Sequence, residues 1–326
     1  AGIGLGAAMP NAAALAAEYV PRRQRPLAVT LAIVCVPLGG MLASWAADYV
    51  LPIRGWRALF LLGGLLPLLA VPPLMKLLPE SPRYLARKPA RRDELLRFLR
   101  RAGRPVPDNV EFLEEGGGPA GRVSLGALFR GGLARETLGL WLAFFSCLLV
   151  VYACFYWIPS LLAGAGLGQI ASRGLLYFNL GGVLGAIVGA IVIGRVGSKI
   201  PMVALCGAAI AGVTLLALMG LRPGATVPLV LVFMAFAGTM INAVQTTLYA
   251  LAAHVYPTAI RATGVGTAAS IGRVGGLAST FLAAWVIEAG GSRAFFACLA
   301  CVLCFALVGL ILITRHSPRI PPASRT

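Results

Sequence analysis

Apolar residues in this chain come in long unbroken runs, not in the two-residue alternation of a half-buried strand or the narrow stripe of a soluble amphipathic helix. A helix needs about 20 mainly apolar residues to cross the hydrocarbon of a bilayer. By that ruler nine runs qualify, at 1–20, 27–51, 58–78, 138–162, 174–194, 201–221, 226–252, 262–287 and 294–314. Membrane barrel strands are about 10 residues long and alternate, so these runs predict helices and an all-α integral membrane protein. One polar block interrupts them: between Lys76 and Glu136 lie thirteen of the 28 Lys and Arg and eight of the 11 Asp and Glu. Inside it, residues 89–101 read as a basic amphipathic helix lying on the membrane surface. Gly116, Gly117, Gly118 and Pro119 then mark a flexible link.

Composition sharpens this picture. Of 326 residues, 59% are hydrophobic and 12% charged, with a mean hydropathy of +0.85, whereas soluble domains carry about 25% charged residues. A net charge of +17 would suit nucleic acid if it formed a soluble basic face. Here the charges flank apolar runs instead, and they report topology. Short cytoplasmic loops are enriched in Lys and Arg, and of the 28 such residues 22 fall on one side of the predicted spans and five on the other, with Arg273 inside a span. The richer side, including the C-terminus, is predicted to be cytoplasmic, with residue 1 outside and the protein in the cell (inner) membrane. The seven Cys all lie in apolar runs and imply no disulfide framework. Cys298, Cys301 and Cys304 share a helical spacing but lack the His or acidic neighbours of a metal site. Gly2, Gly4 and Gly6 have no surrounding strand, so they predict close helix packing rather than dinucleotide binding. No catalytic triad or helical zinc motif is present; neither an enzyme nor a cofactor is expected.

The chain also repeats itself. Leu15-Ala16-Ala17-Glu18-Tyr19-Val20-Pro21 and Arg25 match Leu251-Ala252-Ala253-His254-Val255-Tyr256-Pro257 and Arg261 at a shift of 236 residues. The same register carries Gly39-Gly40 onto Gly275-Gly276, and Gly55-Trp56-Arg57-Ala58-Leu59-Phe60 onto Gly291-Ser292-Arg293-Ala294-Phe295-Phe296. Spans one to three therefore repeat as spans seven to nine. Spans four to six would find their partners upstream of Ala1, so the repeat predicts three further spans within about 100 more residues, two parallel six-helix halves and a truncated chain.

Several of these segments together resemble the major facilitator superfamily, and within it the aromatic acid:proton symporters. They are Gly2-Ile3-Gly4-Leu5-Gly6 leading to Met9-Pro10-Asn11, Glu18-Tyr19-Val20-Pro21 with Arg25, Pro79-Glu80-Ser81-Pro82-Arg83, Phe178-Asn179-Leu180-Gly181-Gly182, and Tyr256-Pro257 through Arg261 to Gly264 with Gly272-Arg273. The resemblance covers nearly the whole chain as spans four to twelve of a twelve-span, major facilitator-like bundle, nine spans present. It implies three spans of the N-terminal half at 1–78, a cytoplasmic central loop at 79–136, a six-span C-terminal half at 137–315 and a cytoplasmic tail at 316–326. It further implies proton-coupled uptake of a small benzoate-type or hydroxybenzoate-type acid by alternating access. The partners would be that acid, protons and lipid, with no nucleic acid and no obligate protein partner. The family's first-span acidic pair and signature loop would precede Ala1, and the related loop here reads Ile193-Gly194-Arg195-Val196-Gly197 without the usual Asp. A sugar or other organic-anion carrier, and an inactive or channel-like form, stay open as alternatives.

Candidate site residues follow from depth and charge. Arg273 lies 12 residues beyond Arg261, about 18 Å along a helix at roughly 1.5 Å per residue. A charge near mid-membrane costs at least about 2.5–3.5 kcal/mol and calls for a cavity and a partner. Two readings stand: Arg273 binds the substrate carboxylate or controls coupling, or it pairs structurally. Asn242 is 12 residues from His254, at comparable depth, and Gln245 shares its face. With Asn11 and Asn179 they either hydrogen-bond a ligand or join helices. Tyr152 and Tyr156 share a face in span four, suited to ring stacking or to an interfacial aromatic belt. Glu18, Arg25 and Arg261 sit at the cytoplasmic boundary, where gating or proton coupling competes with anchoring and structural pairing. There Glu18 is expected to accept Arg25 or a cation of a neighbouring helix.

Overall fold

The computed structural model describes residues 12, 15, 16, 18–20, 25–78, 80, 81, 85, 86, 91–101, 124–222, 224, 226–257 and 260–316. Within them lie α1 (Arg25–Leu77), α2 (Arg92–Arg101), α3 (Ala134–Leu162), α4 (Ala171–Val196), α5 (Lys199–Met219), α6 (Val227–Val255) and α7 (Arg261–Leu312). Five continuous helical runs are long and apolar enough to cross a membrane; Leu31–Leu77, Ala134–Val196 and Arg261–Leu312 each hold two predicted spans. Eight of the nine predicted spans are thus helices among the described residues. Most of the first, 1–20, lies outside them, as do the Gly116–Pro119 link and residues 317–326 of the tail.

Glycine and proline divide the long runs. In α1 the break is Gly55, at φ 68° and ψ −178°; in α7 it is Gly290 with Gly291, the latter at φ 63° and ψ −153°. In the last turn of α3, Pro159 has no N–H to give to the ladder, and from there to α4 the chain passes through a π turn at Ala163–Leu167 and a 3₁₀ turn at Gly168–Ile170. Helix α2 covers Arg92–Arg101 of the stretch predicted at 89–101, of which residues 89 and 90 lie outside the described residues. Its preceding residue Arg91 binds Glu94 at 2.7 Å and Glu80 at 3.4 Å, and the Arg91 hydrogen bond holds the Glu94 carboxyl below its ordinary value.

Two compact units emerge: Ala1–Ile33 with Val50–Gly121, and Val34–Tyr49 with Arg122–Thr326. In the first, much of the apolar surface is uncovered, with Phe60, Leu61, Leu68 and Met75 all exposed, as suits a chain whose solvent is hydrocarbon. The second contains most of the packing. Its strongest pairings are α3 with α7 and α4 with α6. In lipid the hydrophobic effect does not drive helices together, so small residues that admit close approach become decisive. Gly181 and Gly185 of α4 meet the carbonyls of Ala235 and Thr239, Gly238 of α6 meets that of Phe178, and Gly275 of α7 meets that of Phe145; a Cβ at any of them would overlap the oxygen. Residues 34–49 of α1 belong to this unit through a 3.2 Å bridge from Arg173 Nε to Asp48 Oδ2. They also approach at Gly40, where a Cβ would lie 2.6 Å from Asn179 Oδ1.

Candidate functional site

Arg273 lies midway along the first segment of α7, on its exposed face, with no carboxylate partner among the described residues. The α3–α7 crossing sets its surroundings. Gly272 and Gly276 flank it and abut Leu148 and Tyr152, a Cβ at Gly276 lying 2.6 Å from Tyr152 Cδ2. Tyr152 is therefore held one turn from Arg273. Its ring is 5.7 Å from that of Tyr156 and 6.3 Å from that of Phe155. From α6, the Tyr249 ring packs edge-on against Phe144 of α3 at 5.0 Å. Tyr249 escaped the sequence reading, although it stands four residues from Gln245 and so on the same helical face.

The amide side chains divide. Gln245 is buried and its Oε1 has no hydrogen-bond donor among the described residues, a condition that costs roughly 1–3 kcal/mol and that a ligand donor would relieve. Asn242 gives its Nδ2 to the Gly238 carbonyl at 3.0 Å and faces Gly182, where a Cβ would lie 2.9 Å away. Asn179 likewise binds the Leu175 carbonyl at 2.9 Å and fills the space opposite Gly40, its Oδ1 buried without a donor among the described residues. Both asparagines thus stand at helix crossings, while Gln245 is the amide one turn from Tyr249. Asn11 lies outside the described residues.

Around Glu18 and Arg261 the contacts join segments distant in sequence. Glu18 accepts a hydrogen bond from the Ser81 hydroxyl, and Tyr19 donates to the Glu80 carbonyl at 3.1 Å. Glu18 is thus engaged by Ser81, and the Arg25 guanidinium expected beside it lies outside the described residues. Arg25 begins α1, and its side chain lies outside the described residues. Arg261 donates Nε to the Tyr256 carbonyl at 3.2 Å. The buried Tyr256 ring packs on Gly264, its hydroxyl reaches Thr137 Oγ1 at 3.2 Å, and Thr137 donates to the Leu128 carbonyl at 2.7 Å. The Tyr256–Gly264 motif therefore ties α6, α7 and the approach to α3 together. Burial pushes the Tyr256 phenol above its ordinary value.

A second polar cluster at the same end was not legible in the sequence. Glu136 is 2% exposed; its carboxylate accepts the Thr314 N–H at 3.1 Å, the Thr314 hydroxyl, and the Arg315 N–H at 3.5 Å. Beside it His316 Nδ1 pairs with Ser198 Oγ at 3.1 Å, and its Nε2 lies 3.0 Å from the Ile313 carbonyl. The start of α3, the end of α7 and the turn before α5 are joined there. Among the described residues no group of three or more His, Cys, Asp or Glu gathers as a metal would require.

The sequence profile of the Major Facilitator Superfamily matches residues 1–280. A benzoate transport protein of Acinetobacter baylyi is 32% identical over 293 residues, 88% of this chain and 61% of that protein. The 4-hydroxybenzoate transporter PcaK of Pseudomonas aeruginosa is 36% identical over 304 residues, 89% of this chain and 64% of that protein. The chain spans less than two thirds of the length of either relative. A partially occluded, inward-open structure of the xylose transporter XylE from E. coli aligns with a TM-score of 0.71 at 16% identity, over 97% of this chain and 69% of that one, a likeness of fold. With the profile running unbroken through the first copy of the internal repeat, the polar block and most of the second copy, the chain belongs to the Major Facilitator Superfamily.

Proposed function

We propose that the chain belongs to a secondary active carrier that takes up a small aromatic carboxylate, of benzoate or hydroxybenzoate type, together with protons by alternating access. The observation that carries this reading is Arg273: a guanidinium midway along a spanning helix, exposed, without a carboxylate partner among the described residues and one turn from the Tyr152–Tyr156 pair. Its planar donors match a carboxylate in a bidentate geometry, and the tyrosines offer aromatic faces for the ring. Gln245 Oε1, buried and without a donor among the described residues, accepts a hydrogen bond from a ring hydroxyl in this reading. The names of the relatives support the substrate class. Residues 1–78 and 137–315 are parts of two halves joined by a cytoplasmic loop at 79–136, in the inner membrane, with the tail 316–326 cytoplasmic.

Uptake of labelled benzoate and 4-hydroxybenzoate into proteoliposomes tests the proposal. Accumulation above the outside concentration, driven by an inward proton gradient and abolished by a protonophore, is expected. Equilibration without accumulation would indicate a channel, and preferential uptake of a sugar would indicate the alternative cargo.

A further inference from the structure

At the end of the second unit opposite Arg261 and Arg315, a cavity of about 510 Å³ opens beside the ends of α3 and α5 and the break in α7. Trp157, Leu221, Arg222, Ile287, Ser292 and Arg293 are among its lining residues. Its size falls in the range of small-molecule sites, roughly 300–1,000 Å³.

The internal repeat accounts for how the cavity arises. In the first copy the Arg57 guanidinium lies 4.9 Å from the ring centre of the preceding Trp56. At the matched position Arg293 follows Ser292, whose hydroxyl accepts the Leu221 N–H at 3.3 Å. With no ring before it, Arg293 runs along Gly220 instead. Gly220 has φ 61°, and a Cβ there would stand 2.7 Å from Arg293 Nε. Arg222 lines the same space. Neither arginine has a carboxylate partner among the described residues, and Glu288, the nearest acid in sequence, is exposed and does not line the cavity. The Trp157 indole N–H is buried with no acceptor among the described residues.

We propose that this cavity is a second binding site for a small aromatic carboxylate, separate from Arg273, at the membrane face opposite the C-terminus. The carboxylate takes the Arg222 and Arg293 guanidiniums, and the ring lies against Trp157, Leu221 and Ile287. The proposal rests on reading the protein as an aromatic-acid carrier. It supplies a place where the acid is held before it reaches the middle of the membrane.

Equilibrium dialysis of labelled benzoate against the purified full chain tests it, with Arg222→Gln/Arg293→Gln, Arg273→Ala and the triple variant alongside. Two classes of site are expected, one weakened about tenfold or more in the double variant, since charge-assisted hydrogen bonds are lost, and retained in Arg273→Ala. Tryptophan fluorescence gives a second readout that does not depend on the arginine variants: benzoate should change the emission of the wild type more than that of Trp157→Phe. Unaltered benzoate binding in the double variant, with binding lost in Arg273→Ala, would overturn this site and leave the carrier reading standing. If wild type binds no aromatic acid, both fail. In nanodiscs, Arg222- and Arg293-dependent retention of phosphatidylglycerol without any effect on benzoate would assign the cavity to a lipid headgroup and reject the proposal.

Discussion

Gly55 and Gly291, 236 positions apart, hold the same left-handed backbone: φ 68° with ψ −178° at the first and φ 63° with ψ −153° at the second. Each divides a run of more than 50 residues into two helices of spanning length. The sequence repeat and the backbone thus coincide at the residue where the chain turns back. A positive φ is open to glycine and costs other L-residues roughly 1–2 kcal/mol.

Replacing either by alanine isolates that conformational cost, because a Cβ at Gly55 or Gly291 meets nothing within 4 Å. Gly55→Ala and Gly291→Ala should each destabilise the protein by about 1–2 kcal/mol, seen as lowered melting temperatures in detergent. Gly39→Ala, equally open but inside a helix, should be neutral or stabilising by up to about 1 kcal/mol. Equal responses at all three positions would show that the turn conformation is not what these glycines provide.

Arg273 carries the functional prediction. Charge-assisted hydrogen bonds contribute roughly 1.5–3 kcal/mol, and lysine presents a point charge in place of a planar fork. Arg273→Lys should cut aromatic-acid uptake substantially while leaving membrane insertion intact, and Arg273→Ala should abolish it. Removing Arg319, a charge in the C-terminal tail, should do little. Near-normal binding and transport by purified Arg273→Ala would return the residue to a structural role.

How far the sequence carries can be judged from these residues. Run length suffices for the spans, since the hydrocarbon thickness sets it, and the repeat register marks both turning glycines. Arg273 stands out because charge within an apolar run is costly wherever it occurs. Periodicity gives a residue's face but not its neighbour, so nothing in the pattern of Asn179 and Asn242 announces that Gly40 and Gly182 stand opposite them. Glu136 and Thr314 meet across 178 residues through tertiary folding alone, and no local pattern announces the pair. Trp157 shares a span with Tyr152 and Tyr156, where an interfacial belt accounts for aromatics, and only the cavity sets it apart.

Close helix approach makes a graded prediction in α4. Cβ atoms at Gly181 and Gly185 would overlap the carbonyls of Ala235 and Thr239, backbone atoms that yield only if the helices part. At Gly189 the nearest atoms are side-chain methyls at 3.3 Å. Gly181→Ala and Gly185→Ala should therefore lower stability by about 1–3 kcal/mol, as overpacking does, whereas Gly189→Ala should change it by less than about 1 kcal/mol. Comparable melting temperatures for the three variants would mean that α4 and α6 do not cross so closely.

The polar cluster at the end of α7 makes stability depend on pH. Burial comes first in lowering the His316 pKa below its ordinary 6.5; Lys199 and His254 lower it further, while the Ile313 carbonyl and Glu136 act in the opposite sense. With the folded value below the unfolded one, the folded protein holds the neutral ring more strongly than the unfolded chain does. That stability is fully present above about pH 6.5 and is lost as pH falls through 6.5 towards the lower folded value. A melting curve series from pH 7.5 to 5 should show the decline, and His316→Gln should flatten it. Glu136→Gln removes the charge that accepts the Thr314 and Arg315 donors, and it should cost roughly 1.5–3 kcal/mol at neutral pH. A pH profile unchanged by His316→Gln would locate the titrating group elsewhere. A Glu136→Gln variant as stable as wild type would mean that the carboxylate's charge does not hold the end of α7 to α3.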